Sequence, residues 1–339
     1  RMNIIVPMAG RGSRLRPHTL TVPKPLIKVG GKPIVHRLVE DISKMCKEKI
    51  DEVAFVIGDF GEQVEKDLIA VANDLGAKGS IHYQKEPLGT AHAVFCAEQC
   101  LEGPVIVAFA DTLFKADFQI SDGIEGMIWV KQIDDPSAFG VVKLNRANEI
   151  IDFVEKPKEF VSDLAMIGIY FFKDGAALKS EINYLLENNL QKGGEYQLPD
   201  AMRRLTDKGT TFLPGKVDAW LDCGNKKVTV ETNKHVLNFD QDKGLNLVDA
   251  NAVIVNSTII PPCFIGAGVK IIDSVIGPHV SVGENTAIRS SVLSNCLIQH
   301  DSSLAHLNLK DSMVGALVEI HQKPKDLSIG DFTKIHDAE

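Results

Sequence analysis

The apolar residues between positions 3 and 111 fall into short runs separated by longer amphipathic stretches. Residues 3–10, NIIVPMAG, form an apolar run that ends in small residues and predicts a first strand. VAFVIG (53–58) and VIVAFAD (105–111) are short, β-rich and continuously apolar, as buried parallel strands are. After Pro33, the spacing of Ile34, Leu38, Ile42 and Met45 predicts a helix, with proline at a first helical position. Further helices are predicted near 61–75 and from about Gly89 to Cys100, with a strand at IHYQ (81–84) between them. The alternation predicts a Rossmann-like, doubly wound sheet with right-handed crossovers. Ligands of such sheets bind at the carboxyl ends of strands, so the loop after Met8 and Asp111 should share one cleft.

Beyond about residue 127 the pattern turns to strands: MIWVKQ, FGVVKL, IIDFVEKP and AMIGIYFF. Helices near 175–190 and 197–208, a strand at VDAWLD (217–222) and a helix from about Asn225 follow. Around 245 the texture changes again. Ile259, Ile265, Ile271, Ile276, Val282, Ile288 and Ile298 stand five, six or ten apart, and Gly266, Gly277 and Gly283 follow three of them. Hexapeptide spacing of this kind predicts a short left-handed parallel β-helix of about four coils. The expected division is 1–244 as a catalytic domain, 245–321 as the β-helix and 322–339 as a tail.

The 339 residues are 44% hydrophobic and 24% charged, ordinary globular chemistry with length for more than one domain. No run approaches the roughly 18–20 apolar residues of a membrane span. Arg1 before Met2 reads as an added residue, and no cationic, apolar leader is apparent. Six cysteines without a C-x-x-C pair speak for reduced thiols and against zinc, and a cytoplasmic enzyme is expected. A net charge of −8 argues against a nucleic-acid partner. The acidic total hides one basic block. Arg1, Arg11, Arg14, Arg16, Lys24, Lys28, Lys32 and Arg37 precede the first acid, Glu40. Such a block repels itself unless it faces an anion.

Gly10-Arg11-Gly12-Ser13-Arg14-Leu15 has Leu15 where a dinucleotide fingerprint needs glycine, and it lacks the Gly-Lys-Ser/Thr ending of a P-loop. It nevertheless follows a first strand and leads to Pro23-Lys24-Pro25. Two glycines let backbone N–H groups approach phosphate oxygens, and Arg14 and Lys24 add fixed positive charge. That combination suits a triphosphate.

With these residues in view, the chain resembles the nucleoside-diphosphate-sugar pyrophosphorylases, or sugar-1-phosphate nucleotidyltransferases. The matching segments, in order, are AGRGSRLRP with TVPKPL, YQKEPLGTAHAV, FAD, the FG at 139–140, VEKP, GIYFF, EYQLPD and WLDCG. The resemblance implies a GT-A-like nucleotidyltransferase fold with a mixed sheet and a class 2.7.7 transferase activity. Ala9, Gly10, Gly12, Gln84, Pro87, Gly89 and Thr90 would then bind the nucleotide. Arg14, Lys24, Asp111 and Lys156 would serve catalysis, and Gly140, Glu155 and Lys156 would hold the sugar phosphate. Asp111 and Asp222 would bind Mg2+, as hard carboxylates do. The substrates implied are a nucleoside triphosphate, UTP or dTTP favoured, and a hexose 1-phosphate. A homo-oligomer is expected.

Members that handle N-acetylhexosamines usually carry Asn shortly before the GIY glycine; Ala165-Met166-Ile167-Gly168 here favours glucose 1-phosphate. Arg11 adds a charge the motif does not require. Relatives that use GTP share the TLTVPKPL phrasing, so mannose-1-phosphate guanylyl transfer stays open beside N-acetylglucosamine-1-phosphate uridylyl transfer. A bifunctional chain with an acetyltransferase in the β-helix would draw a general base from His279, His300, His306 or His321. A non-catalytic regulatory subunit should have lost acids or lysines at positions 24, 111, 156 and 222, and none is lost.

Overall fold

The computed structural model describes residues 1–337. The chain packs as two compact units: residues 1–28 with 32–232, and residues 233–339 with Val29–Gly31. In the first unit, β1 (Met2–Pro7) leads through a long loop to two short strands, β2 (Lys28–Val29) and β3 (Lys32–Pro33). There follow α1 (Ile34–Met45), β4 (Ile50–Ile57), α2 (Glu62–Asp74), β5 (Lys78–Tyr83), α3 (Thr90–Phe95) and β6 (Val105–Ala108). β1 lies between β6 and β4 and runs parallel to both, and β4 pairs in parallel with β5. This is the doubly wound half expected from the alternation. Its strands are buried on both faces, with Ile4, Ile5, Val53, Phe55 and Val107 wholly covered. α1 buries the face read from its spacing: Ile34, Leu38 and Ile42 are fully covered and Met45 nearly so.

The sheet then becomes mixed. β7 (Thr112–Lys115) stands apart, β8 (Gly126–Gln132), β9 (Gly140–Leu144) and β10 (Ile150–Glu155) follow, and β11 (Leu164–Phe172) runs antiparallel to β6, β8 and β9. α4 (Gly175–Glu187) is capped by the Asp174 carboxylate, which accepts from the Ala177 N–H at 3.0 Å, and α5 (Leu198–Asp207) starts with Pro199 in its first turn. β12 (Phe212–Lys216) extends the sheet beside β8, and β13 (Ala219–Asp222) leaves it to pair with β7. The last helix is α6 (Lys226–Asp242). Besides the two-residue strands β2 and β3, two strands here were not legible from the apolar pattern. β7 is short, and β12 contains Pro214 and Gly215, which an edge strand tolerates because one side of its backbone lacks a partner.

In the second unit the chain climbs a left-handed parallel β-helix. Val253 pairs with Lys270, Lys270 with Ala287, Ala287 with Ser303 and Ser303 with Glu319, giving coils of 17, 17, 16 and 16 residues. Ile265, Ile271, Ile276, Val282, Ile288 and Ile298 point into its core. The corners use left-handed backbone. One column holds Asn256, Asp273, Ser290 and His306; a second holds His279, Asn295 and Asp311; a third holds Asn285, Asp301 and Leu317. Asn and Asp dominate because they tolerate this conformation better than other side chains. Their amides also bridge coils, Asn256 Nδ2 to Asp273 Oδ1 at 2.6 Å and Asn295 Nδ2 to Asp311 Oδ1 at 2.7 Å. Buried hydroxyls of Ser274 and Ser291 accept backbone N–H groups from the next coil, so no polar column opens the core. On the same unit, Asn233 Oδ1 accepts from the Gly30 N–H at 2.6 Å and from Ser281 Oγ at 3.0 Å. Residues 322–337 carry no helix or strand. No helix among the described residues is long and apolar enough to cross a membrane.

Candidate active site

The loop after β1 folds back on itself. Gly12 is left-handed (φ 59°), its carbonyl accepts from Thr19 Oγ1 at 2.7 Å, and a Cβ there would stand 3.1 Å from the Lys24 stem. The two halves of the basic block, Gly10–Arg14 and Pro23–Pro25, are thereby brought side by side. Met8 and Ala110 each donate a backbone N–H that ties this loop's base to neighbouring strands, Met8 to Val56 and Ala110 to Pro7. The turn before Asp111 therefore sits beside the end of β1, as the strand-end argument expected.

The two candidate metal carboxylates are set by a ladder between distant segments. In the β7–β13 pair, Thr112 faces Asp222, and Thr112 Oγ1 donates to the Leu221 carbonyl at 2.9 Å. Asp111 directly precedes Thr112, so the ladder carries Asp111 and Asp222 to one place from 111 residues apart. Both side chains are exposed. Asp222 Oδ1 accepts from the Gly224 N–H at 2.8 Å, and a Cβ at Gly224 would meet both Asp222 oxygens and an Arg14 guanidinium nitrogen, the latter at 3.5 Å. The buried Cys223 thiol reports the same gathering. Burial, first, pushes it up to about 12, with Asp222 and Asp111 adding to the rise and the Lys24 ammonium opposing it. Cys223 thus stays a neutral thiol and is no nucleophile. Two hard carboxylates beside Lys24 and Arg14 form a donor set that fits a polyphosphate bound with a hard divalent cation.

A second group lies where the start of β9 meets the end of β10. Gly140 pairs with Glu155, and the space a Cβ would need is taken by Met166 Cε and Glu155 Oε2, at 2.5 and 2.7 Å. Glycine here is what admits both. Lys156 follows in a left-handed turn (φ 42°), its N–H donating to the Phe139 carbonyl at 3.1 Å. The Tyr170 phenol is raised by burial and then by the charges of Glu155 and Asp111, so both acids lie within electrostatic reach of it. Met166, the position read for sugar choice, is buried against Gly140.

The third group holds the YQKEPLGTAHAV residues. Gln84 follows β5, and its N–H donates to Ile57. Ala9 lies near the same strand end, since a Cβ at Gly58 would stand 3.6 Å from the Ala9 carbonyl. Gln84 Nε2 donates to the Gly89 carbonyl at 3.3 Å and to His92 Nδ1 at 3.1 Å. Burial lowers the His92 pKa against the pull of Glu86, which favours the neutral ring; the Gly89 carbonyl can only accept, so the amide nitrogen faces it, and His92 Nδ1 beside that nitrogen is the acceptor. The amide nitrogen is thus engaged inside the protein, and Oε1 is the atom left for a ligand. Gly89 has a positive φ of 104° and is wedged against the chain: a Cβ would meet the Tyr196 carbonyl at 2.3 Å and its nitrogen at 2.7 Å. Tyr196 N–H donates to Leu88, Ala91 N–H donates to Tyr196, and Leu198 N–H donates to the Thr90 hydroxyl. The EYQLPD segment, quoted above without a role, is the buttress of the Gly89 turn. Pro87 sits exposed on that turn.

Sequence reading missed His92, Tyr170 and Tyr196. His92 lies two residues into a helix that starts at Thr90, within a segment already singled out, which was the one signal available. The histidines considered for acetyl transfer are spread out: His279 and His306 occupy two corner columns, and His300 adjoins the third at Asp301. His279 meets Asn238 Oδ1 at 2.9 Å, His300 meets Asp301 at 2.7 Å, and His321 meets Ser303 Oγ at 2.7 Å.

A family model described as nucleotidyl transferase matches residues 3–238. A glucose-1-phosphate thymidylyltransferase from Streptomyces antibioticus is 30% identical, over 95% of this chain and 94% of the relative. A bifunctional protein GlmU from Methanococcus maripaludis is 30% identical over 93% of this chain and 78% of the relative. A solved structure from Bacillus anthracis, provisionally assigned as a glucose-1-phosphate thymidylyltransferase and determined in complex with a sucrose, superposes with a TM-score of 0.60. It is 22% identical and covers 74% of this chain and 98% of its own, a likeness of fold.

Proposed function

The chain belongs to the nucleotidyl transferase family, and from that premise we propose that it joins a nucleoside triphosphate to a hexose 1-phosphate, giving a nucleoside-diphosphate sugar and pyrophosphate. The observation that carries this reading is the β7–β13 ladder, which brings Asp111 to Asp222 next to Lys24 and Arg14. A phosphate oxygen of the sugar 1-phosphate attacks the α-phosphorus in line, the bond to the β-phosphate breaks, and pyrophosphate leaves with the electron pair. Gly10 and Gly12 offer backbone N–H groups to the triphosphate, and Arg14 and Lys24 neutralise its charge. Lys156 holds the sugar phosphate, and Glu155 accepts from sugar hydroxyls beside Gly140. Asp111 and Asp222 would hold Mg2+, which would supply charge neutralisation for the reacting phosphates. The protein's own share is positioning and preorganised charge.

UTP and dTTP are the favoured nucleotides. Gln84 Oε1 is an acceptor, and a pyrimidine imide offers an N–H between two carbonyls, whereas adenine presents a bare ring nitrogen there. A guanine also offers a ring N–H, which keeps a guanylyltransferase as the second reading. The tight Gly89–Tyr196 contact favours the smaller pyrimidine. Glucose 1-phosphate is the favoured sugar, because the Met166 thioether faces Gly140 where an acetamido group would need a polar partner. We place the reaction in a reducing cytoplasm, with the chain acting as a homo-oligomer and with six free thiols. Gln84→Ala tests the base reading: the preference for UTP or dTTP over ATP should fall about tenfold or more, the value of one lost buried hydrogen bond. An unchanged preference refutes the role given to Gln84.

A further inference from the structure

A cluster outside the site just described consists of Glu52, His82 and Cys100, whose ligand atoms all lie within 4.8 Å of one another. Three separate elements supply them. Glu52 is on β4 and His82 on β5, and the parallel register sets Val56 opposite His82, so Glu52 and His82 share one face of the sheet. Cys100 closes a short 3-10 turn (Glu98–Cys100) after α3, covers that face, and is held by its own N–H to Ala97 and by Asn3 Nδ2, which donates to its carbonyl at 3.1 Å. The thiol is buried and the other two side chains are partly open, so the trio has both a closed floor and an entry path.

We propose that Glu52, His82 and Cys100 bind one thiophilic divalent cation of the zinc class, with a fourth position left to solvent. Thiolate, imidazole and carboxylate are the three ligand types zinc takes, and ligand atoms on a tetrahedral zinc stand about 3.3–3.8 Å apart. The cluster therefore needs to contract by only about 1 Å, within reach of side-chain torsions. Thiolate and carboxylate together offset the charge of a divalent ion. Ser80 Oγ, 2.9 Å from His82 Nε2, is the kind of outer hydroxyl that fixes a ligating ring. Lys78 reaches Glu52 at 3.7 Å, but its side chain is 75% exposed and can withdraw to water. Sulfur and imidazole do not suit Mg2+, which demands oxygen. The site would thus hold its ion without competing for the metal of the phosphate chemistry. The reading from cysteine spacing alone argued against zinc; that argument concerns ligand pairs close in sequence, whereas these ligands are joined only by the fold.

Cobalt(II) titration of chelator-stripped, reduced full-length protein is the test. The expected result is a thiolate-to-cobalt charge-transfer band with intense visible bands, removed by Zn2+ and untouched by excess Mg2+. Cys100→Ser should abolish the charge-transfer band, and Cys96→Ser should keep it. His82→Ala and Glu52→Gln, at partly open positions, should each weaken Co2+ binding at least about tenfold while the far-UV spectrum stays native. These two variants carry the test if Cys100→Ser does not fold. A folded wild-type protein without the band overturns the proposal, as does a band that survives Cys100→Ser or keeps full affinity in both other variants. The readout does not depend on turnover, so it stands apart from the nucleotidyl-transfer assay.

Discussion

Replacing Gly89 by alanine separates two costs that usually come together. At φ 104° any side chain is strained, and left-handed backbone costs an L-residue about 1–2 kcal/mol. The added Cβ also falls 2.3 Å from the Tyr196 carbonyl and 2.7 Å from its nitrogen, both backbone atoms that no rotamer change can move. Relief requires the Gly89 turn and the Tyr196 segment to part. That sacrifices the Tyr196 N–H to Leu88 bond at 2.7 Å and the Ala91 N–H to Tyr196 bond at 3.0 Å, each worth about 1 kcal/mol net. The expected total is about 3–4 kcal/mol, or roughly 10 °C in melting temperature for a unit of this size. Gly76→Ala is the control, because its φ is +71° and nothing lies within 4 Å of the new Cβ. It should cost only the backbone share, about 1–2 kcal/mol. Thermal melts and the KM for the nucleotide read the two variants. Gly89→Ala should melt well below Gly76→Ala and raise KM, since Gln84 Nε2 bonds to the Gly89 carbonyl. Equal melting of the two, with KM unchanged, would refute the buttress.

Asp111→Asn and Asp222→Asn should each lower turnover by about 100-fold or more at saturating magnesium, with melting preserved because both acids are exposed; near-normal turnover removes that residue from the metal site. Stability should fall on mild acidification. Burial lowers the pKa values of His18, His36 and His92 in the folded chain, so below about 6.5 the unfolded chain binds more protons than the folded one. Melting temperature should therefore be level above pH 7 and decline as pH drops through 6.5 toward the lowered values, and a flat profile down to pH 5 contradicts this. Asn233→Ala removes the buried acceptor that the Gly30 N–H and the Ser281 hydroxyl share and should cost about 2–4 kcal/mol, while Ser281→Ala removes one of the two bonds and should cost less in the same melts.

Much of this architecture was legible because it is periodic. The face of α1 and the β-helix aliphatics announce themselves at spacings of 3.6 and about 6 residues, and the buried strands β1, β4 and β6 as short continuous apolar runs. The basic loop was legible as chemistry, since an acid-free run threaded with Gly and Pro implies an anionic ligand. What stayed hidden depends on contacts between distant segments. No local signal says that Tyr196 will press on Gly89, that β7 will pair with β13, or that Val29–Gly31 will join the unit that starts at Asn233. The inner bond of Gln84 is of the same kind. Nothing in the sequence says that a helix turn will bring His92 to its amide nitrogen.

The most direct test of nucleotidyl transfer is pyrophosphate release by the intact protein with Mg2+, across the four common nucleoside triphosphates paired with a panel of hexose 1-phosphates. The account predicts release that requires both substrates, fastest with UTP or dTTP and glucose 1-phosphate, with ATP at least about tenfold slower. Preference for GTP with mannose 1-phosphate would move the base and sugar readings and leave the transfer intact. No pyrophosphate from any pair, by a protein that is folded and binds nucleotide, would contradict the central claim.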